Sequence, residues 1–356
     1  IGDGAFYSCS SLVSINISDS VASIGDHAFK SCSSLETLYI PNSVTNIGKS
    51  AMSDCTKLKS ITIPDGVTSI SDNLLSGCSS LEAVTIPGSI TRVGNQAFYE
   101  CSKLVNATLG EGVTIIGDGA FMQCTSLVFV TIPDSVTNIA NNAYSGCSGL
   151  KSVDMGHGVR TIGINAFHSC SGLQSLNIPD SVKKIGSDAC NGCTNLESLS
   201  IGDGVSSIGD QAFYKNMLLR NVTLPSSLTS IGESAFSYCT NLQSVRVKGG
   251  NTISILESAF EEDSQLREMV FDTKKQVKLL GESIFANCKS LEHIKFRKDI
   301  TNIIGLTGKG VMCNSGGGSS YECEKGFQNA FEENSIYFAC TPCAPGSFSP
   351  SVTLSS

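Results

Sequence analysis

The chain has 356 residues, 40% of them hydrophobic, and a net charge of −8, with a pI near 5.1. That acidic balance excludes a nucleic-acid binder, which needs a basic face, and the apolar fraction excludes a disordered chain. No uninterrupted apolar run approaches the length of a membrane span, so a membrane is expected to be reached only through segments outside this chain.

Ile1 has the phase of Ile24, so the sequence opens inside a coil, and a longer parent chain is expected. A cysteine then recurs every 23 residues at Cys9, Cys32, Cys55, Cys78, Cys101, Cys124, Cys147, Cys170 and Cys193, and leucines from Leu12 to Leu242 keep the same step. A fixed period of this size marks a solenoid, in which each repeat is one coil that cannot bury its apolar face alone. In the coil from Leu35 to Cys55, Leu38 and Ile40 alternate with Thr37 and Tyr39, which predicts a short strand with one buried face. Pro41-Asn42-Ser43 turns the chain, Val44 and Ile47 point inward from a second extended stretch, and Gly48 allows a tight corner. Ala51 and Met52 are expected to begin a brief helical turn, with Asp3, Asp26, Asp72, Asp118 and Asp210 capping free N–H groups at that point in their own coils.

Phenylalanines at Phe6, Phe29, Phe98, Phe121, Phe167, Phe213, Phe236 and Phe260 form a further column that predicts core packing; Met52, Leu75, Tyr144 and Cys190 take its place in other coils. Leucine anchors continue to Leu266 and Leu291, with the spacing slipping to 24 and then 25 residues near the end, as in a transition to a cap. The fold expected is therefore a β-rich, right-handed solenoid of about thirteen 23-residue coils over 1–304, followed by a small cysteine-rich, Gly/Ser-rich region over 305–356.

The repeated pattern Cys-x-x-Leu-x-x-Ile-x-Ile-Pro-x-x-Val-x-x-Ile-Gly-x-x-Ala-Phe resembles the bacterial-surface-protein (BspA-like, Treponema-type) leucine-rich repeat. The resemblance implies a leucine-rich-repeat stack, an extracellular or cell-surface location, adhesion or ligand binding as the role, and no shared catalytic residues.

The sixteen cysteines divide into two groups. Those of the ladder, which include Cys239 and Cys288, share their rung with Asn216 and Asp263, so the rung is no obligatory disulfide partner. Neighbouring rungs have parallel Cβ vectors, unsuited to a disulfide, and a linear row offers no tetrahedral closure around a metal; small buried thiols are expected. Cys190 and Cys193 form a Cys-x-x-Cys that the repeat brings about by coincidence. The second group, Cys313, Cys323, Cys340 and Cys343, lies in sequence without an apolar period, where disulfides are the expected staple. Cys340-Thr-Pro-Cys343-Ala-Pro-Gly-Ser-Phe-Ser resembles the start of an ephrin-receptor-like cysteine-rich module, though Ala344-Pro345 stands where that module has Pro-x. The resemblance implies a Cys323–Cys340 disulfide, with Cys343 pairing beyond Ser356.

His27, His157, His168 and His293 occupy four different repeat positions, and no nucleophile elbow, phosphate loop or zinc-protease motif is present. No enzyme activity, cofactor or metal site is expected. Sequons stand at Asn16, Asn106 and Asn221, all on outward positions of the first strand, and are expected glycosylation sites in a secretory pathway. The outward strand face is the surface free of core duties, with Thr37, Tyr39, Thr62, Thr85, Thr108, Phe129, Thr131 and Asp154 as candidate binding residues. A parallel threonine column at Thr45, Thr68, Thr91, Thr114 and Thr137 gives the surface a likeness to ice-binding solenoids. The function expected is a non-catalytic extracellular scaffold whose partner is a protein or glycan at a cell surface. The alternative is a structural subunit that assembles with copies of itself into a filament, hair or coat.

Overall fold

The computed structural model describes residues 1–297, 300 and 302–304, and the backbone alone of 326–332 and 335–341. The chain divides into two compact units, Ile1–Val182 with Gly192–Thr194, and Lys183–Asn191 with Asn195–Ser356. Each is built on a parallel β-solenoid.

One coil shows why the sequence winds this way. In Ala83–Ile86, Ala83 and Thr85 are exposed while Val84 and Ile86 are buried, the period-two alternation of a strand with one dry face. Pro87 then opens a turn closed by the Ile90 N–H on the Pro87 carbonyl at 3.1 Å. A second short strand, Arg92–Val93, returns one apolar side chain, Val93, to the core.

The third side of the coil differs from expectation. No described residue is helical. Pairs of residues four apart adopt left-handed φ values instead, such as Ser50 (51°) with Asp54 (62°) and Gln96 (52°) with Glu100 (57°). Left-handed φ disfavours L-residues with a Cβ, but here it directs N–H groups along the stack. The Ser50, Met52 and Asp54 N–H groups donate to the Asp72, Leu74 and Ser76 carbonyls of the next coil at 3.0, 3.0 and 2.7 Å. A segment this short would not nucleate a helix, and a ladder between coils satisfies the backbone groups that a helix would otherwise pair.

The aspartates correct the sequence reading in the same sense, because they cap the next coil and not their own. Asp3 Oδ1 accepts the Asp26 N–H at 2.8 Å, Asp26 Oδ1 that of Lys49 at 2.7 Å, Asp72 Oδ1 that of Asn95 at 2.9 Å and Asp118 Oδ1 that of Asn141 at 3.0 Å. Asp210 Oδ1 does the same for the Glu233 N–H at 2.9 Å, and Asn95 and Asn141 stand in for aspartate at 3.0 and 2.9 Å. Gly48 owes its place to the same contact between coils: a Cβ there would lie 2.5 Å from the Asp26 nitrogen.

In the first unit the strands Thr37–Leu38, Ser60–Thr62, Ala83–Ile86, Asn106–Leu109, Phe129–Ile132, Ser152–Met155 and Ser175–Ile178 pair in parallel and in sequence order. In the second, Asn221–Leu224, Ser244–Val247, Glu268–Phe271 and His293–Arg297 do likewise. The slipped spacing leaves this register intact, with Val245 beside Met269 and Met269 beside Ile294, so the extra residues fall between strands. The backbone of Gly326–Glu332 and Ser335–Thr341 forms an antiparallel hairpin, and Ser335–Thr341 also pairs antiparallel with His293–Arg297.

The core consists of stacked columns. Phe98, Phe121, Tyr144 and Phe167 stack at 5.0, 5.2 and 5.4 Å between ring centroids, and Phe213, Phe236, Phe260 and Phe285 at 5.1, 5.5 and 5.8 Å. The leucine and cysteine columns are buried from Cys32 and Leu35 onward, while in the first coil Phe6 is half-buried and Cys9 exposed.

Candidate binding surface

The pleat of the first unit sets Thr37, Tyr39, Thr62, Thr85, Thr108, Phe129, Thr131 and Asp154 all on the solvent side. Register brings several of them together: Thr62 is abreast of Thr85, Thr85 of Thr108, and Thr131 of Asp154. Phe129 is abreast of Asn106 on one side and Ser152 on the other. Tyr39 does not join this group. It lies four coils before Phe129, a separation of roughly 19 Å at ordinary strand spacing.

Two residues that sequence reasoning missed complete the patch. Val105 and Val128 are 50% and 39% exposed beside Phe129, itself 46% exposed. Their signal lay in the column just after the ladder leucine, where other coils carry Glu36, Lys59, Glu82 and Lys151.

The polar groups around Phe129 differ from the other polar columns of the chain. Thr91, Thr114 and Thr137 donate their hydroxyls to the carbonyls of Thr68, Thr91 and Thr114 at 3.2, 2.9 and 3.3 Å, so that column serves the stack and presents no free hydroxyl array. Among the described residues, the side chains of Asn106, Thr108, Thr131, Ser152 and Asp154 make no hydrogen bond to the protein. Asp154 is the one charged residue on the outward positions of the first strands of this unit. The matching face of the second unit is charged and paired with itself, through Arg246–Asp272 at 2.6 Å, Lys248–Asp203 at 3.2 Å and Lys295–Glu268.

The ladder thiols from Cys32 onward are free and inward. Each donates to the carbonyl at the Phe position of the preceding coil, as Cys55 does to Phe29 and Cys101 to Leu75, both at 3.2 Å. Burial pushes the Cys55, Cys101 and Cys147 thiols up to about 12, which withholds the thiolate that nucleophilic or metal chemistry needs. Asn16, Asn106 and Asn221 are exposed, and Asn221 Oδ1 accepts the Ser244 hydroxyl at 2.7 Å. Cys313, Cys323 and Cys343 lie outside the described residues, and of Cys340 only the backbone is described.

The repeat model for the BspA-type leucine-rich repeat region matches residues 1–127, 68–197 and 183–306. The chain belongs to the BspA-type leucine-rich-repeat family. Solenoids of this family are generally non-catalytic. Among solved structures, a leucine-rich repeat protein from Bacteroides ovatus is 27% identical, covers 82% of this BspA-type chain and 70% of its own, and superposes with a TM-score of 0.61. A leucine-rich cell surface protein from Faecalibacterium prausnitzii is 28% identical over 85% of this chain and 82% of its own, with a TM-score of 0.47. The T. pallidum leucine-rich repeat protein is 29% identical over 46% of this chain and 78% of its own, with a TM-score of 0.42. A comparison with curated proteins gave no match.

Proposed function

We propose that this chain is a non-catalytic recognition scaffold working outside the cell or at a cell surface, through the strand face of its first unit. The observation that carries this reading is the patch of Val105, Val128 and Phe129 amid polar groups that have no partner among the described residues. A core-only solenoid has no use for an exposed phenylalanine at that phase, and conspicuous apolar exposure on a soluble fold marks contact surfaces. The family match supports a surface role, and the sequons at Asn16 and Asn221, away from the patch, are acceptor sites on this reading. The test is capture of intact cells or of surface-immobilised extracellular material by the purified chain, compared with Phe129→Ala. Loss of capture with an unchanged circular dichroism spectrum supports the face, and unchanged capture removes it. Light scattering on the same sample distinguishes the structural alternative: the scaffold reading expects a monomer, and ordered assembly in the absence of a partner overturns it in favour of a filament subunit.

A further inference from the structure

We propose that the strip centred on Phe129 binds a neutral pyranose sugar, with Phe129 as the stacking platform and Asn106 and Asp154 as the hydrogen-bonding groups beside it. The proposal rests on the strand-face reading and names its ligand class.

The repeat supplies its own control. At the phase of Phe129 the other coils of this unit carry Ser14, Thr37, Ser60, Ala83, Asn106, Ser152 and Ser175. The fold therefore needs no aromatic there, and the ring is not part of the core. Val105 and Val128 widen the apolar surface on one side of it.

Register sets the distances. Asn106 and Ser152 flank Phe129 on the adjacent strands, roughly 4.8 Å away. Asp154 faces Thr131, so it lies diagonally from Phe129 at roughly 7–8 Å. A pyranose is about as wide as a phenyl ring and has a face of C–H groups rimmed by hydroxyls. The negative face of an aromatic ring suits those C–H groups. The Asn106 amide both donates and accepts, and the Asp154 carboxylate accepts from two directions, which is what vicinal hydroxyls require. Since none of these side chains is engaged elsewhere among the described residues, no intramolecular hydrogen bond must break when a sugar arrives.

Charge and composition narrow the class. The outward positions of the first strands in this unit carry one carboxylate and no cation, and the Val105–Val128 column is bounded by Glu82 and Lys151, so no cationic cluster is present to favour sialylated or sulfated sugars. A protein partner wants about 800 Å² per side and a core enriched in aromatic residues and Arg. Three apolar residues in a field of serine and threonine do not provide that.

One ring on such a platform binds weakly, with a Kd on the order of 1 mM. The test uses the full chain made without glycosylation, so that Asn106 is bare, against arrays of neutral oligosaccharides of glucose, galactose, mannose and N-acetylglucosamine beside sialylated and sulfated counterparts. Positive sugars are then titrated in solution by saturation-transfer NMR. The expected result is binding to at least one neutral sugar, weakened by about tenfold or more in Phe129→Ala and in Asp154→Ala and unchanged in Tyr39→Ala. All three side chains are exposed, and circular dichroism checks that the variants remain folded. A silent neutral array, a preference for anionic sugars, or binding that survives Phe129→Ala overturns the proposal. If Phe129→Ala abolishes cell capture while no sugar binds, the sugar assignment falls and the strand face stands. If it changes neither, both fall.

Discussion

Individual residues of the ladder show how one rung position is chemically interchangeable. A cysteine there donates to the carbonyl of the coil before it, and Asn216 does the same through its amide nitrogen to Cys190 O at 3.1 Å. Asp263 instead accepts, taking the Cys239 N–H at 2.8 Å on Oδ1 and leaving Oδ2 buried without a partner. Burial holds its carboxyl well above the usual range, opposed by that hydrogen bond and reinforced by Glu262. The sign follows directly. A carboxyl with a folded pKa above its unfolded value stabilises the fold fully at acid pH, and that contribution is lost as pH rises from the unfolded value towards the folded one. Asp263→Asn keeps an acceptor for Cys239 and removes the charge. It is expected to raise stability at pH 7 by roughly 1–3 kcal/mol, with the gain vanishing near pH 3; urea unfolding at the two pH values checks this, and a gain equal at both refutes it. The thiols give a second prediction. Iodoacetamide on the native chain at pH 8 is expected to label Cys9, which is exposed, and to spare Cys32 through Cys193 until denaturant is added. Mass mapping that finds disulfides between adjacent ladder cysteines would refute the picture of free buried thiols.

Within a coil, the three sides were legible to different degrees. The strand with its inward Leu and Ile, the proline turn and the Phe column could be read because each rests on a local alternation or a fixed step of the sequence. The left-handed turns could not. Ser50, Asp54, Gln96 and Glu100 are ordinary polar residues, and nothing local distinguishes a helical turn from an extended ladder whose partners lie 22 residues away. The aspartate caps were misassigned for the same reason, since Asp118 and the Asn141 N–H meet only once coils are stacked. Asp118→Ala leaves that N–H without its acceptor and is expected to cost about 0.5–2 kcal/mol, whereas Lys49→Ala, at the same phase but without a cap to lose, is expected to cost little. Chemical denaturation of the pair tests whether the column is structural; equal effects would show that it is not. The site was half legible: Phe129 and Asp154 stood out on an alternating strand, while Val105 and Val128 were hidden because an apolar residue next to the ladder leucine reads as core until the pleat is seen.

At the scale of the whole molecule, stability should be distributed and not pooled. Among the described residues the backbone ladder joins adjacent coils, with the Lys248–Asp203 pair reaching one coil further, so a solenoid behaves largely as a sum of coil and interface energies and not as one cooperative core. Phe121 belongs to the first unit, where it stacks between Phe98 and Tyr144 at 5.0 and 5.2 Å. Phe121→Ala opens a cavity in that column and is expected to cost roughly 3–5 kcal/mol locally. Native-state hydrogen exchange can follow the loss along the chain, because the ladder between coils gives every coil protected amides, such as the Phe98 N–H on Ala120 O and the Phe236 N–H on Ala259 O, both at 2.8 Å. The variant is expected to lose protection strongly in peptides spanning 98–144 and hardly at all in peptides spanning 236–285. Under a two-state scheme the same mutation would lower protection equally wherever exchange proceeds through global unfolding. Uniform loss across both spans would therefore refute the nearest-neighbour account. A graded loss would mean that a variant on the Phe129 strip can be judged for binding without altering the coils of the second unit.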